Sequence, residues 1–246
     1  MKHVTSGAME MYLNPRLAAL FASSEKEDTE SNSRIAQIID SEFSKLYEDA
    51  RGVHIANLGA GANPQKYQAI LQRIRSHQWR FDWVDLSRPM LAIAQETARQ
   101  YRLPKDIQYI HNDFIGYLIS QRDESLDGVF MQYCINYLTN LDVFFGLLSQ
   151  KLRKGGVYVA NLGLETLENF EEARFLVNGK EIHGPVALQP GDVYTICFLK
   201  QNGRVYATTQ KNFFSSQEIL RAAHSNGLLA KIEPHQQFTI VQAKKH

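Results

Sequence analysis

A chain of 246 residues, 44% hydrophobic and 22% charged, can bury a sizeable core and fits one elaborated globular domain better than two. A net charge of +1 supplies no general electrostatic drive toward nucleic acid or an anionic membrane. No run approaches the ~18 apolar residues of a membrane span, and "MKHVTSGAMEMYLNP" lacks the apolar stretch of a secretory leader.

Cys134 and Cys197 sit in apolar segments without metal-ligand spacing, so two buried, reduced thiols in a cytoplasmic protein are expected, with no bound metal.

Residues 1–50 read as an N-terminal helical cap. "SEKEDTESNS" (24–33) is polar and predicts an exposed loop. Ile35, Ile38, Ile39, Phe43 and Leu46 then recur at helical spacing until the pattern breaks at Gly52. From 51 to 163 strands alternate with helices. "VHIANLG" predicts a buried strand and "NPQKYQAILQRIRSH" a helix. "WRFDWVDLS" and "RPMLAIAQETARQYR" repeat the pair, with Pro89 in the first helical turn. "IQYIHNDF" and "LDGVFMQYCI" predict the third and fourth strands. "LDVFFGLLSQKLRK" predicts a helix closed by Gly155-Gly156, and "VYVANLG" a fifth strand. This alternation implies right-handed crossovers, hence an α/β fold with a Rossmann-like, doubly wound, mostly parallel sheet.

Residues 164–214 change character and predict a β-hairpin insert. Asn178-Gly179 and Asn202-Gly203 each separate runs of strand-forming residues, the signature of a two-residue turn in which both positions need a positive φ. Residues 215–246 return to the core pattern. "SSQEILRAAHSNG" is a helix capped by Ser215 or Ser216 and stopped at Gly227, and "LLAKIEP" and "FTIVQAKK" form a last strand pair.

The chemistry points to "NLGAGANP". A strand followed by Gly-x-Gly lets backbone approach a ligand closely and aims the N–H groups of a following helix at it. No Gly-Lys-Ser/Thr follows, as a P-loop requires. A dinucleotide site wants a third glycine where Pro64 stands. The second strand ends in Asp85, whose carboxylate could accept both hydroxyls of a ribose, or could simply cap the next helix. Asp113 ends "HNDF" at the same sheet edge. Gly-x-Gly, Asp and Asp at three strand ends describe a nucleoside site that needs no pyrophosphate grip.

In order and spacing, "NLGAGANP", "WVDLSRPMLAIA", "YIHNDF", "LDGVFMQYCINYL" and "LRKGGVYVANL" resemble the successive motifs of class I S-adenosylmethionine-dependent methyltransferases, over residues 53–163. The resemblance implies six parallel strands plus one antiparallel strand, the latter matching "FTIVQAKK". It implies that Gly59, Ala60 and Gly61 pass under the methionine part of S-adenosylmethionine. Asp85 with Leu86 would hold the ribose, and Asp113 with Phe114 the adenine. Asn57, Asn112 and Gln132 complete the candidate cofactor-binding set. Two departures stand out. Asn57 replaces the usual acidic residue before the first glycine, which removes a charge facing the cofactor's ammonium, and Asn63-Pro64 follows the turn.

The segment after the fourth strand carries Asn136 and Tyr137 where several members of that family have a histidine nearby, and no Asn-Pro-Pro-Tyr or Asp-Pro-Pro-Tyr sequence is present. DNA-adenine and protein-glutamine methylation are therefore disfavoured. Candidates for the catalytic side are His183, Tyr133 and Tyr137, with His224 discounted because it lies among helix-core residues. Phe170, Phe175, Tyr194, Phe198, Tyr206, Phe213 and Phe214 make the insert aromatic. They suit a lid over a small, partly apolar acceptor methylated on oxygen or nitrogen, the insert's own core, or a homodimer interface. A non-catalytic scaffold subunit and a nicotinamide-dependent oxidoreductase remain as alternatives.

Overall fold

A computed structural model describes residues 10–26, 30–47, 50–162, 166–168, 173–199, 203–234 and 239–246. Helices α1 (Glu10–Leu13), α2 (Pro15–Lys26) and α3 (Glu30–Leu46) precede the first strand. Residues 24–26 end α2 and 30–33 begin α3, so the described part of the segment expected as a loop is helical. The buried stripe of Ile35, Ile39 and Phe43 supplies the packing that holds α3. The side chain of Leu46 lies outside the described residues.

The central layer follows in chain order: β1 (His54–Leu58), a 3-10 turn (Pro64–Lys66), α4 (Gln68–His77), β2 (Arg80–Asp85), α5 (Arg88–Gln100), β3 (Ile107–His111), α6 (Phe114–Ser120), β4 (Leu126–Met131), a second 3-10 turn (Ile135–Tyr137), α7 (Leu141–Lys151) and β5 (Leu152–Leu162). The insert carries β6 (Thr166–Leu167), β7 (Ala173–Val177), β8 (Lys180–Glu181), β9 (Val186–Ala187), β10 (Val193–Leu199) and β11 (Val205–Asn212). Helix α8 (Ser216–Ser225) and strands β12 (Leu228–Pro234) and β13 (Thr239–Lys245) close the chain. The main sheet has seven strands in the order β12-β13-β5-β4-β1-β2-β3. Only β13 runs against its neighbours, pairing antiparallel with both β5 and β12. This is the expected doubly wound α/β sheet.

Strand alternation sends side chains to two covered faces. Ile55, Phe81, Trp83, Phe130, Val159 and Ile240 pack under α3, α4 and α5. Ala56, Leu58, Val129, Met131, Tyr158 and Val241 pack under α6, α7 and α8. Gly128 lies beneath α3, where any Cβ would collide with the Phe43 ring, so a glycine sets how closely that helix approaches the sheet. One helix end differs from expectation. α7 stops at Lys151 and Leu152 already pairs with Leu126, so Gly155-Gly156 falls inside β5. Leu152 is fully buried, which favours the strand. The glycines instead take up a register shift against β4, with Gly155 at φ +79°.

In the insert a four-stranded sheet, β11-β10-β7-β8, and the β6–β9 pair share a small core of Leu167, Phe175, Ile182, Leu188, Tyr194 and Phe213. Asn178 and Gly179, at φ +50° and +79°, form the two-residue turn between β7 and β8. Asn202 lies outside the described residues. Val193–Phe198 pair with Ala207–Asn212, and the register shifts beyond Phe198, where Leu199 faces Val205. Phe170 and the side chain of Tyr206 are also outside the described residues. No described helix is long and apolar enough to cross a membrane. Both cysteines are free thiols, Cys197 buried and Cys134 partly so, and burial pushes the Cys197 thiol up. The described residues hold no cluster of His, Cys, Asp and Glu suited to a metal ion.

Candidate functional site

The site is built where the parallel strands end. Leaving β1, the chain turns through Gly59 (φ +74°) and Gly61 (φ +65°), a backbone that L side chains rarely adopt. The turn is clamped to β2. The Gly59 and Ala60 N–H groups donate to the Val84 carbonyl at 2.9 and 3.0 Å, and the Gly61 N–H donates to Asp85 Oδ2 at 2.9 Å. Trp83 Nε1 returns a hydrogen bond to the Gly61 carbonyl at 2.9 Å. A Cβ on Gly59 would collide with Cys134 Sγ, so only glycine allows the end of β4 to close on this turn. The expected helix start is displaced. Pro64 opens a 3-10 turn, Tyr67 breaks the path, and α4 begins only at Gln68, so its N-terminus is set back from the glycines.

Just before the turn, Asn57 is 1% exposed and its Oδ1 has no hydrogen-bond partner among the described residues. An unpaired buried carbonyl oxygen costs about 1–3 kcal/mol. Such an acceptor, set beside a positive-φ glycine turn, fits a ligand that brings its own donor.

Asp85 ends β2. Oδ2 takes the Gly61 N–H, Oδ1 takes the Ser87 N–H at 2.7 Å, and each oxygen keeps a further lone pair. Burial raises the Asp85 pKa above the usual carboxylate value, against the lowering effects of those two N–H groups and of His111. Ser87 Oγ accepts from the Met90 N–H and so caps α5. Leu86 sits between them, its carbonyl 2.9 Å from His111 Nε2. The Asn112 N–H donates to the Asp85 carbonyl at 3.2 Å, which joins the β3 end to the β2 end. Asp113 lies two residues beyond β3, not at its end. It caps α6 by accepting the Gly116 N–H at 2.7 Å, while Asn112 Oδ1 accepts the Asp113 N–H at 3.0 Å. Phe114 opens that helix, its ring beside Gly59. Gln132, after β4, accepts the Tyr67 hydroxyl at 2.7 Å. All the residues anticipated for a cofactor thus gather along one sheet edge.

The loop after β4 supplies a second group. Tyr133 is held at φ +56°, its N–H donating to Asn161 Oδ1 at 2.7 Å. A non-glycine residue there is costly and persists because its surroundings enforce it. Asn136 Nδ2 donates to the Asn212 carbonyl at 2.9 Å and Asn212 Nδ2 to the Leu138 carbonyl at 2.8 Å, which ties this loop to β11. The Tyr137 hydroxyl stands 2.9 Å from Thr209 Oγ1 and 3.1 Å from the Tyr12 hydroxyl. Lys211 Nζ lies 4.9 Å from the centre of the Tyr137 ring and donates to the Tyr133 carbonyl at 3.5 Å. Helices α1 and α2 complete the enclosure. Ser87 Oγ donates to the Tyr12 carbonyl, and Ala18 and Ala22 pack on Ala62 and Met90.

Tyr12, Thr209 and Lys211 were not among the residues expected here. Alternation along "VYATTQKN" puts Thr209 and Lys211 on one face of β11, but sequence alone does not say what that face meets. His183 and His224 do not join the group. His183 is exposed after β8, and His224 is exposed on α8, its Nε2 3.2 Å from the Ala230 carbonyl.

In open α/β sheets of this kind, ligands bind in the crevice at the carboxyl ends of the strands, where the glycine turn, Asp85 and the Asn57 acceptor lie. Residues 58–160 match a family described as a methyltransferase domain. Several solved structures share the fold at low identity. An S-adenosylmethionine-bound amino pentose methyltransferase from Micromonospora echinaspora, CalS10, is 14% identical, with a TM-score of 0.61 over 93% of this chain and 97% of its own. The sugar N-methyltransferase KedS8 from a Streptoalloteichus species is 13% identical, with a TM-score of 0.61 over 93% and 92%. A 1,6-didemethyltoxoflavin-N1-methyltransferase from Burkholderia thailandensis, with its acceptor and S-adenosylhomocysteine bound, is 13% identical, with a TM-score of 0.54 over 93% and 87%. Comparison with curated protein sequences gives no match. Residues 58–160 thus match a methyltransferase domain, and the chain shares its fold with S-adenosylmethionine-dependent methyltransferases.

Proposed function

We propose that the protein methylates oxygen or nitrogen on a small organic acceptor held between the β4 end, strand β11 and helices α1–α2. The observation that carries this is the buried, unpartnered Asn57 Oδ1 beside the Gly59–Gly61 turn. In this assignment Asn57 accepts from the cofactor's ammonium and the turn runs beneath its amino-acid part. Asp85, with Leu86, takes the ribose hydroxyls on the lone pairs its backbone donors leave free. Asn112, Asp113 and Phe114 border the adenine, and Gln132 lies at the β4 end. The bound cofactor supplies a methyl group on a sulfonium.

The remaining work is positioning and exclusion of water, which suffices for much of a methyl-transfer acceleration. Tyr133 and Tyr137 line the acceptor side under Tyr12. His183 is exposed on the insert, so no histidine base is assigned. The structural neighbours named as a sugar N-methyltransferase, an amino pentose methyltransferase and a 1,6-didemethyltoxoflavin-N1-methyltransferase support a small acceptor by analogy. Helices α1 and α2 of the 1–50 cap and the 164–214 insert are assigned to the acceptor side, and 51–163 with 215–246 to the cofactor side, with α3 packed on the sheet.

Calorimetric titration with S-adenosylmethionine and S-adenosylhomocysteine, alongside Asp85→Ala, tests the site. Micromolar binding by the wild type, weakened at least tenfold in the variant, is expected. Binding followed by methylated small-molecule products in mass spectrometry completes the assignment. Transfer only to tRNA or protein overturns the small acceptor. Binding without turnover on any acceptor leaves a scaffold subunit, the reading that Asn57 in place of an acid favours.

A further inference from the structure

Lys211 reaches from β11 to the loop after β4, where its ammonium faces the Tyr137 ring at 4.9 Å and the Tyr133 carbonyl at 3.5 Å. The same loop carries Cys134, whose Sγ is 3.5 Å from the Gly59 carbonyl, so the ammonium stands close to the glycine turn. Its partners are all neutral. Lys151, Lys231 and Lys245 each pair with a carboxylate, whereas among the described residues no carboxylate forms an ion pair with Lys211. Burial works against this charge, but a hydrogen bond with Tyr137 and charge interactions with Tyr137, Tyr194 and Cys134 as those groups ionise leave the Lys211 pKa above its ordinary value. The ammonium is held on a π face and a carbonyl, with no counter-ion among the described residues, beside the proposed sulfonium site. Two positive charges in one water-poor region are costly unless an anion lies with them.

Resting on the methyltransferase assignment above, we infer that Lys211 is an acceptor-binding residue and that the acceptor presents an ionised oxygen, as a carboxylate, enolate or phenolate, which is itself methylated. Lys211 accounts for the missing base. An oxygen that arrives ionised, or is held ionised by the ammonium, has no proton to lose during transfer. One of its lone pairs forms the new O–C bond as the C–S bond breaks, and that bond's electron pair returns to sulfur. The negative oxygen and the positive sulfonium disappear together, leaving a methyl ester or ether and a thioether. No further reactant is needed. The Tyr137 hydroxyl, shared with Tyr12 and Thr209, supplies a second, neutral hydrogen bond that orients the oxygen.

The test uses the S-adenosylhomocysteine-loaded full chain, with benzoate against benzamide and 4-nitrophenolate against 4-nitroanisole as probes. Wild type, Lys211→Met and Lys211→Arg are compared by calorimetry. Each anion is expected to bind wild type at least tenfold more tightly than its neutral counterpart. Lys211→Met should lose that preference while still binding S-adenosylhomocysteine, and Lys211→Arg should retain most of it. Equal binding of anion and neutral probe, binding of neither, or a preference that survives in Lys211→Met overturns the inference and leaves the cofactor assignment standing. A wild type that binds no S-adenosylhomocysteine overturns the cofactor assignment and this inference with it.

Discussion

Asn57 and Asp85 show how one site can be partly legible in a sequence. Spacing alone singles out Gly59, Gly61 and Asp85, because a strand, a positive-φ turn and a second strand end are local features. It also marks Asn57 as a neutral substitute for an acid, though not that its Oδ1 is buried and unpaired. Asn57→Asp is expected to tighten S-adenosylmethionine binding about tenfold, since charge-assisted hydrogen bonds are roughly twice as strong as neutral ones. The same variant buries an unpaired carboxylate without ligand, so its ligand-free unfolding temperature should fall. Calorimetry and thermal unfolding, with and without cofactor, read both effects. Lys211 was not legible in this way. Its partners Tyr133 and Tyr137 lie more than seventy residues away, and no local pattern links a lysine on one strand to a loop on another sheet.

At the scale of elements, the first halves of β1 and β2 and the middle of α6 are joined by a buried polar cluster. Asp82, fully buried, accepts from the Tyr117 hydroxyl at 2.7 Å and from Arg80 Nε at 2.9 Å, and pairs with His54 Nε2 at 2.9 Å. Burial alone would raise the Asp82 pKa, but the hydrogen bonds from His54, Arg80 and Tyr117 together hold it below its usual value. The sign follows from that lowering. The stabilisation is fully present above the ordinary carboxylate pKa of about 3.9 and is lost as pH falls through the lower folded value. Asp82→Asn is expected to cost about 3 kcal/mol at pH 7, because it leaves buried partners uncompensated. Urea unfolding of both proteins should show the gap narrowing below about pH 4.

Element types were largely legible and their limits less so. The Asn178-Gly179 turn follows from a local φ requirement. The end of α7 depends on Leu152 being buried against Leu126, which only the folded sheet decides. Helix α6 was missed because seven residues carry too little periodicity, and its cap, Asp113, read equally well as a strand end.

Across the whole molecule, cofactor binding should couple to the enclosing helices. At a hundredfold excess over Kd, S-adenosylhomocysteine stabilises the folded state by about 2.7 kcal/mol. For a chain of this size that is a rise of roughly 5–11 °C in Tm. Helices α1 and α2 rest on Ala62, Met90, Ser87 and Tyr137 around the site. Limited proteolysis of residues 10–26 should therefore slow when cofactor is bound. Unchanged cleavage would separate those helices from the site.

By itself the sequence determined the alternation of strands and helices, the doubly wound α/β class, the glycine turn and the acid that follows it. Each is encoded by neighbours along the chain, through periodicity, turn chemistry and residue size. Tertiary structure decided which polar groups meet across that sheet edge. It left Asn57 Oδ1 unpaired, turned both Asp85 oxygens toward backbone donors, and set the charge of Lys211 against neutral tyrosines. Those outcomes come from side chains distant in sequence competing for the same buried space, where low dielectric makes each pairing or its absence count.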